Sequence, residues 1–254
     1  MSTNQAICNR VKDVLSKEPE VLAIFNNGAA VVGMAALGSD VDFVVILKND
    51  RDEGKIIKVI SKNFKVIKNE DDPNVNVEEQ WDILGKRCDF CFRSKNEMDK
   101  KVNTFYDSKS NFLELQHFLK HKIVDAVAIY DPKNLLNSYQ KKIKKYPNKI
   151  LNQVIKDSIQ SLKENLYYWN HHGFRNEFQF NFEMWDVIRE ICHALYAKNK
   201  RLFMLPYKRL HKDLKELKPN IEKEMYALVR GINTPQNIAK KAKILKKIIE
   251  KLEK

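Results

Sequence analysis

The sequence predicts an α+β chain: an N-terminal mixed α/β sheet domain over residues 1–133, then an all-α helical bundle over residues 134–254. Three observations lead there. Strand-like and helix-like segments alternate up to about residue 130, as in a mixed sheet with covering helices. Beyond residue 135 strand composition all but disappears and apolar residues recur at helical spacing. Charge divides at the same place. Residues 1–135 hold 20 basic and 21 acidic side chains, whereas 136–254 hold 26 and 12, so the net charge of +13 belongs to the second half.

Taken in order, Gln5 to Leu15 carries apolar residues at helical spacing, and Val21 to Phe25 reads as a first strand running to Gly28. Asp40 to Ile46 is a second strand, Glu53 to Ser61 a short amphipathic helix, and Phe64 to Ile67 a third strand. Asn69 to Asn76 is a polar, acidic loop. Glu79–Leu84 and Arg87–Phe92 form two strands around Gly85, Met98–His121 is helical with interruptions, and Val124–Tyr130 is a last strand closed by Asp131-Pro132. The second half breaks into helices over 150–169, 178–197, 207–217, 221–229 and 235–252. Thr234 before Pro235 suits an N-cap followed by proline at the first helical position.

Composition excludes several classes. No apolar run approaches the length of a membrane span. The N-terminus lacks the basic-then-apolar order of a signal peptide, so a cytoplasmic location is expected. Four cysteines in 254 residues make no disulfide framework. Cys88 and Cys91 form a Cys-x-x-Cys, but alternation puts them on opposite faces of a strand and no second pair completes a zinc site. They read as small apolar fillers beside Asp89, and Cys8 and Cys192 as core residues.

The most informative stretch is Asp40-Val41-Asp42-Phe43. A strand repeats every two residues, so Asp40 and Asp42 share one face. Adjacent like charges repel, and a divalent cation between them is their usual relief. Asp-x-Asp alone is common at solvated strand edges. Here it follows Gly28-Ala29, a ten-residue spacer ending in Gly38-Ser39, and it opens an apolar strand, with a further acid, Asp89, in the strand-like run 86–92.

This arrangement resembles the nucleotidyltransferase superfamily with the DNA polymerase beta-like fold, and the helical second half is similar to that of the kanamycin- and lincosamide-type enzymes. The family pattern is an apolar residue, Gly, then Gly or Ser, a spacer, and Asp-apolar-Asp/Glu-apolar. Gly28 fills the glycine and residues 40–43 fill the acidic motif, while Asn27, Ala29 and Val32 depart from it. The resemblance implies that Asp40, Asp42 and Asp89 ligate Mg²⁺, with Asp89 also taking the proton of the attacking hydroxyl. It implies that Gly28, Ala29 and Ser39 shape the turn that binds triphosphate through backbone N–H groups. The resemblance also implies a triphosphate contact for Lys208, which lies in a segment similar to one where a lysine opens a helix.

Arg189, His193 and Tyr196 fall at i, i+4 and i+7, on a face suited to a substrate cleft. The Arg–His pair is similar to that of small helical ribonucleases, with a closer spacing than theirs, and both Arg189 and Lys208 equally suit structural ion pairs. His171 and His172 fall in an interhelical turn without metal-binding neighbours.

The expected function is transfer of a nucleoside monophosphate, AMP from ATP, to a hydroxyl of a small molecule or protein, releasing pyrophosphate. The partners are then a nucleoside triphosphate and a hydroxyl-bearing acceptor. The basic half offers phosphate contacts, but a nucleic acid is the less favoured partner because Lys-rich helix faces are also ordinary solvated surface. The alternative is a non-catalytic nucleotide- or RNA-binding protein that keeps the fold without turnover, motivated by Asn27, Ala29 and Val32.

Overall fold

A computed structural model describes residues 3–27, 31, 40–67, 80–171, 177–203, 210–230 and 235–254. Gly28, Ala29, Val32, Ser39, His172, Lys208, the acidic loop over 69–76 and the Thr234 cap lie outside the described residues. The fold is α+β. Two compact units emerge, one of Met1–Phe105 with Phe118–Lys145, the other of Tyr106–His117 with Tyr146–Lys254.

The first unit contains helix α1 (Thr3–Leu15), strands β1 (Val21–Asn27) and β2 (Val41–Leu47), helix α2 (Glu53–Asn63), and strands β3 (Lys65–Ile67), β4 (Gln80–Ile83) and β5 (Lys86–Ser94). Helix α3 (Lys95–Thr104) follows, then strand β6 (Val127–Tyr130) and helix α5 (Leu135–Ile143); between α3 and β6 in the chain comes α4 (Lys109–Leu119), which belongs to the second unit up to His117. The six strands form one sheet in the order β3-β4-β5-β2-β1-β6. Among the described residues only β2 and β5 run parallel; the other pairs are antiparallel.

Alternation along the central strands sorts the two faces. Val41, Phe43, Val45 and Leu47 of β2 join Cys88, Phe90 and Phe92 of β5 in a core with Ile7, Val11 and Leu15 of α1 and Ile56 and Ile60 of α2. Phe90 anchors it: its ring stacks on Phe43 at 5.1 Å and meets Trp81 edge-on at 5.3 Å. Each such buried side chain contributes about 1.5–3 kcal/mol of transfer free energy. The core therefore locks the phase of β2 and β5, because a one-residue slip would send these rings to the other face.

Between β4 and β5 the chain turns at Leu84 and Gly85, with φ of 56° and 75°. Two left-handed residues suit a tight hairpin, and only glycine adopts that backbone without cost. The Gly85 N–H donates to Asp82 Oδ1 at 2.8 Å, which fixes the pairing of Asp82 with Arg87.

The last strand is shorter than the sequence suggests. Residues Lys120–Val124 form a π turn, and β6 begins at Val127. The side chain of Gln140 explains the delay: its amide donates to the carbonyls of Ile123, Val124 and Ala126, at 2.9, 3.4 and 3.3 Å, where ladder partners would otherwise be needed. Helix α5, where the sequence reading placed none, is capped by Asp131, whose carboxylate accepts from the N–H groups of Leu135 and Leu136 at 2.8 and 2.9 Å. It buries Leu136, Tyr139 and Ile143.

The second unit consists of the residues of α4 up to His117 and helices α6 (Asn148–His171), α7 (Glu177–Lys198), α8 (Leu210–Glu216), α9 (Glu222–Val229) and α10 (Pro235–Glu253). Leu162, Val187, Ile191, Leu195, Leu245 and Ile248 are among its fully buried core residues. Phe203 is a local hub, with the rings of His117, His193 and Tyr196 at 5.3, 5.6 and 5.2 Å. Its N–H donates to Gln116 Oε1 at 3.2 Å. No helix among the described residues is long and apolar enough to cross a membrane.

Candidate active site

The parallel register of β2 and β5 places Asp42 directly beside Asp89. Neighbouring strands lie about 4.8 Å apart, so carboxylates at the same level and on the same face are close enough to share a ligand. Both sit on the sheet face opposite the aromatic core, because Phe43 and Phe90, one residue further along each strand, belong to that core. The row continues outward on both sides. Asn27 of β1 pairs with Asp42, and Gln80 of β4 pairs with Asp89. Two acids at the centre of the sheet are thus flanked by two neutral amides.

Asp40 precedes β2 and shares the parity of Asp42. One step before the Val41–Cys88 pair, its strand neighbour is Arg87, which shares the parity of Asp89. Arg87 forks onto Asp40: Nε donates to Oδ1 at 2.7 Å, and a terminal guanidinium nitrogen donates to Oδ2. The hydrogen bond to Asp40 holds the Arg87 proton more tightly than usual, burial opposes it, and the charges of Asp40 and Asp89 add to the hold. A second row therefore runs Asp82, Arg87, Asp40, beside the first.

The backbone under these acids is well held. Asn26 Nδ2 donates to the carbonyl of Asp42 at 3.0 Å. Asn27 is fully buried, and its Nδ2 contacts the carbonyl and Nε2 of His121 at 3.5 and 3.4 Å. Asn27 thus has a structural use, tying β1 to the turn before β6. Cys88 is buried, with its thiol pushed up to about 12 by burial first and by the charge of Asp89 second. A thiol held protonated is neither a nucleophile nor a metal ligand, and all four cysteines are buried and unbonded to one another.

Of the residues singled out by sequence, the structure brings Asp42 and Asp89 together and leaves Asp40 engaged by Arg87. Among the described residues no three His, Cys, Asp or Glu side chains stand together in a way that could hold a metal ion. Mg²⁺ takes one or two protein carboxylates and completes its shell with water and substrate phosphates, so Asp42 and Asp89 fit the protein's share of such a site. Arg87 is not among the residues that the sequence singles out, although it stands two residues before Asp89 and so on the same face.

In the helical unit, Arg189 and His193 line a cavity of about 480 Å³ with Lys109, Glu114, His117 and Glu190. Arg189 is bound to Asp186 at 2.8 Å, and Lys109 to Asp157 at 2.6 Å. His193 is buried, with its Nδ1 3.7 Å from a Glu190 carboxylate oxygen, longer than a hydrogen bond. Burial holds His117 below the usual histidine range, helped by the charge of His193. Tyr196 is core rather than cleft: it is buried and donates its hydroxyl hydrogen to Asp213.

No family model matches the chain, and no curated protein matches it by sequence. Among solved structures, the chain is similar to a nucleotidyltransferase-like protein from Exiguobacterium sibiricum 255-15, at 10% identity and a TM-score of 0.44, over 98% of this chain and 75% of that one. It is also similar to spectinomycin adenyltransferase AAD(9) from Enterococcus faecialis, solved with ATP and spectinomycin, at 16% identity and a TM-score of 0.39, over 98% and 99% of the two chains. Likenesses this distant do not assign a function.

Proposed function

We propose that this protein is a nucleotidyltransferase that moves a nucleoside monophosphate, AMP from ATP, to a hydroxyl of a small molecule or protein and releases pyrophosphate. The observation that carries the reading is the Asp42–Asp89 register pair on one face of the central parallel strands, with Asp40 two residues before Asp42. Asp42 and Asp89 are the residues that would hold Mg²⁺, and Asp40, bound by Arg87 in this structure, is the third acid of the reading. When bound, the ion neutralises triphosphate charge and makes the α-phosphorus easier to attack.

The protein's own residues supply the rest. Asp89 takes the proton of the acceptor hydroxyl. The acceptor oxygen then bonds to the α-phosphorus while the bond from that phosphorus to the departing pyrophosphate oxygen breaks. Asn27 and Gln80, uncharged on either side, leave the negative charge of the site concentrated on the acids between them. In this reading Gly28, Ala29 and Ser39 form the phosphate turn and Lys208 a triphosphate contact.

A second reading has its own support. The Arg87–Asp40 pair occupies one of the expected metal acids, as it would in a nucleotide- or RNA-binding protein that keeps the fold without turnover. Incubation with Mg²⁺, triphosphates labelled at the α-phosphate and a panel of hydroxylated acceptors separates the two. Pyrophosphate release with label on an acceptor supports the transferase; saturable nucleotide or RNA binding with no triphosphate consumed sinks it.

A further inference from the structure

We propose that Arg87 is a latch on the acidic site: it holds Asp40 in the ligand-free protein and passes to a phosphate of the incoming nucleoside triphosphate, freeing Asp40 to join Asp42 and Asp89. The proposal rests on the transferase reading and adds a positioning residue to it.

Strand geometry puts Arg87 in place. It stands opposite Asp40 across the parallel β2–β5 pair and two residues before Asp89 on the same face, so one cation binds Asp40 and feels the charge of Asp89. Its other register neighbour, Asp82, uses an oxygen on the Gly85 N–H at the hairpin. Among the described residues, Asp40 is the hydrogen-bond partner of Arg87.

Electrostatics supply the reason for the contact and for its exchange. Three carboxylates in adjacent positions repel one another, and the guanidinium offsets one of those charges. The Arg87 side chain is 49% exposed and that of Asp40 22%, so the pair is solvent-screened and weakly held despite its forked geometry. A triphosphate carries more negative charge than a carboxylate and presents pairs of oxygens that fit the same planar fork. The anion with the higher charge wins the guanidinium, and the third acid is released only when substrate is present.

The test uses the full chain and two probes, Mn²⁺ alone followed by paramagnetic resonance, and Mg²⁺ with a non-hydrolysable ATP analogue followed by calorimetry. Arg87→Gln frees Asp40, so Mn²⁺ alone binds about fivefold tighter, whereas the nucleotide analogue binds about tenfold weaker or worse. Arg87→Lys keeps the cation and lies between the two. The double variant Arg87→Gln/Asp40→Asn loses the gain for Mn²⁺, because Asp40 is what the latch withholds. Circular dichroism reports whether each variant is folded, and Arg87→Lys carries the test if the glutamine variant is not. Wild-type binding of both probes with Arg87→Gln unchanged overturns the latch and leaves the transferase reading standing. Wild-type protein that binds neither probe overturns both.

Discussion

Asp42 on β2 and Asp89 on β5 are direct neighbours across a parallel strand pair, on the face of the sheet that looks away from the Phe43–Phe90 stack. The packing of one face thereby sets the chemistry of the other. While the aromatic core holds its phase, the two carboxylates remain level.

That relationship predicts a shared fate for the two acids. Asp42→Asn and Asp89→Asn should each lower the rate of pyrophosphate release by about 100-fold or more, as for loss of a group acting on developing charge. The double variant should be scarcely worse than either single one, because the pair acts as a unit. Single-turnover assays on the three proteins check this. Losses that multiply in the double variant would argue for two independent roles.

Much of this was legible in the sequence, for identifiable reasons. The run from Val41 to Ile46 is apolar and β-branched enough to be read as a strand, and alternation alone put Asp40 and Asp42 on one face. The adjacency of β2 and β5 was harder to see, because α2, β3 and β4 lie between them in the chain and parallel pairing leaves no local turn signal. Arg87 carries no motif of its own, and its place beside Asp40 depends on the β2–β5 pairing, which no local signal announces. Leu136, Tyr139 and Ile143 recur at helical spacing over only nine residues, and the Asp131-Pro132 turn signal masks the role of Asp131 as a cap. The start of β6 could not be foreseen, since it depends on a side chain ten or more residues away, that of Gln140.

Phe90 tests the link between core and site. Phe90→Ala should cost about 3–5 kcal/mol of unfolding free energy, by the loss of a buried ring and the cavity left among Phe43, Trp81 and Phe92. Urea unfolding at neutral pH measures it. A loss under 1 kcal/mol would mean that this core does not carry the register.

The helical unit has its own pH signature. Burial alone would raise the carboxyl of Glu190, but the His193 contact and the Ser158 hydroxyl, which donates to Oε2 at 2.8 Å, hold it below the usual glutamate value. A depressed carboxylate contributes stability in full above the unfolded value near ~4.3 and loses it as pH falls through the folded value. Ser158→Ala should therefore cost about 1 kcal/mol at pH 7, with a difference that shrinks in acid as Glu190 protonates. Denaturation across an acidic pH series reads this out, and a difference that grows in acid would contradict it.

Lys241 of α10 is only 3% exposed, with its ammonium 5.8 Å from the centre of the Phe180 ring. Burial holds its pKa below the usual lysine value. The unfolded chain binds this proton more tightly, so wild-type stability rises as pH climbs between the folded and unfolded values. Lys241→Met removes this titration, so its stability relative to wild type should be greatest at neutral pH. The difference should fade in alkaline solution. Thermal melts of both proteins at pH 7 and pH ~10 decide the matter.

Calorimetric titration of Mg²⁺ with a non-hydrolysable ATP analogue into wild-type protein, Asp42→Asn and Asp89→Asn tests the central claim most directly. The expected result is saturable one-to-one binding to the wild type and at least about tenfold weaker binding to each variant. Equal affinity in all three proteins, or no binding by the wild type, would contradict a nucleotide site built on these two carboxylates.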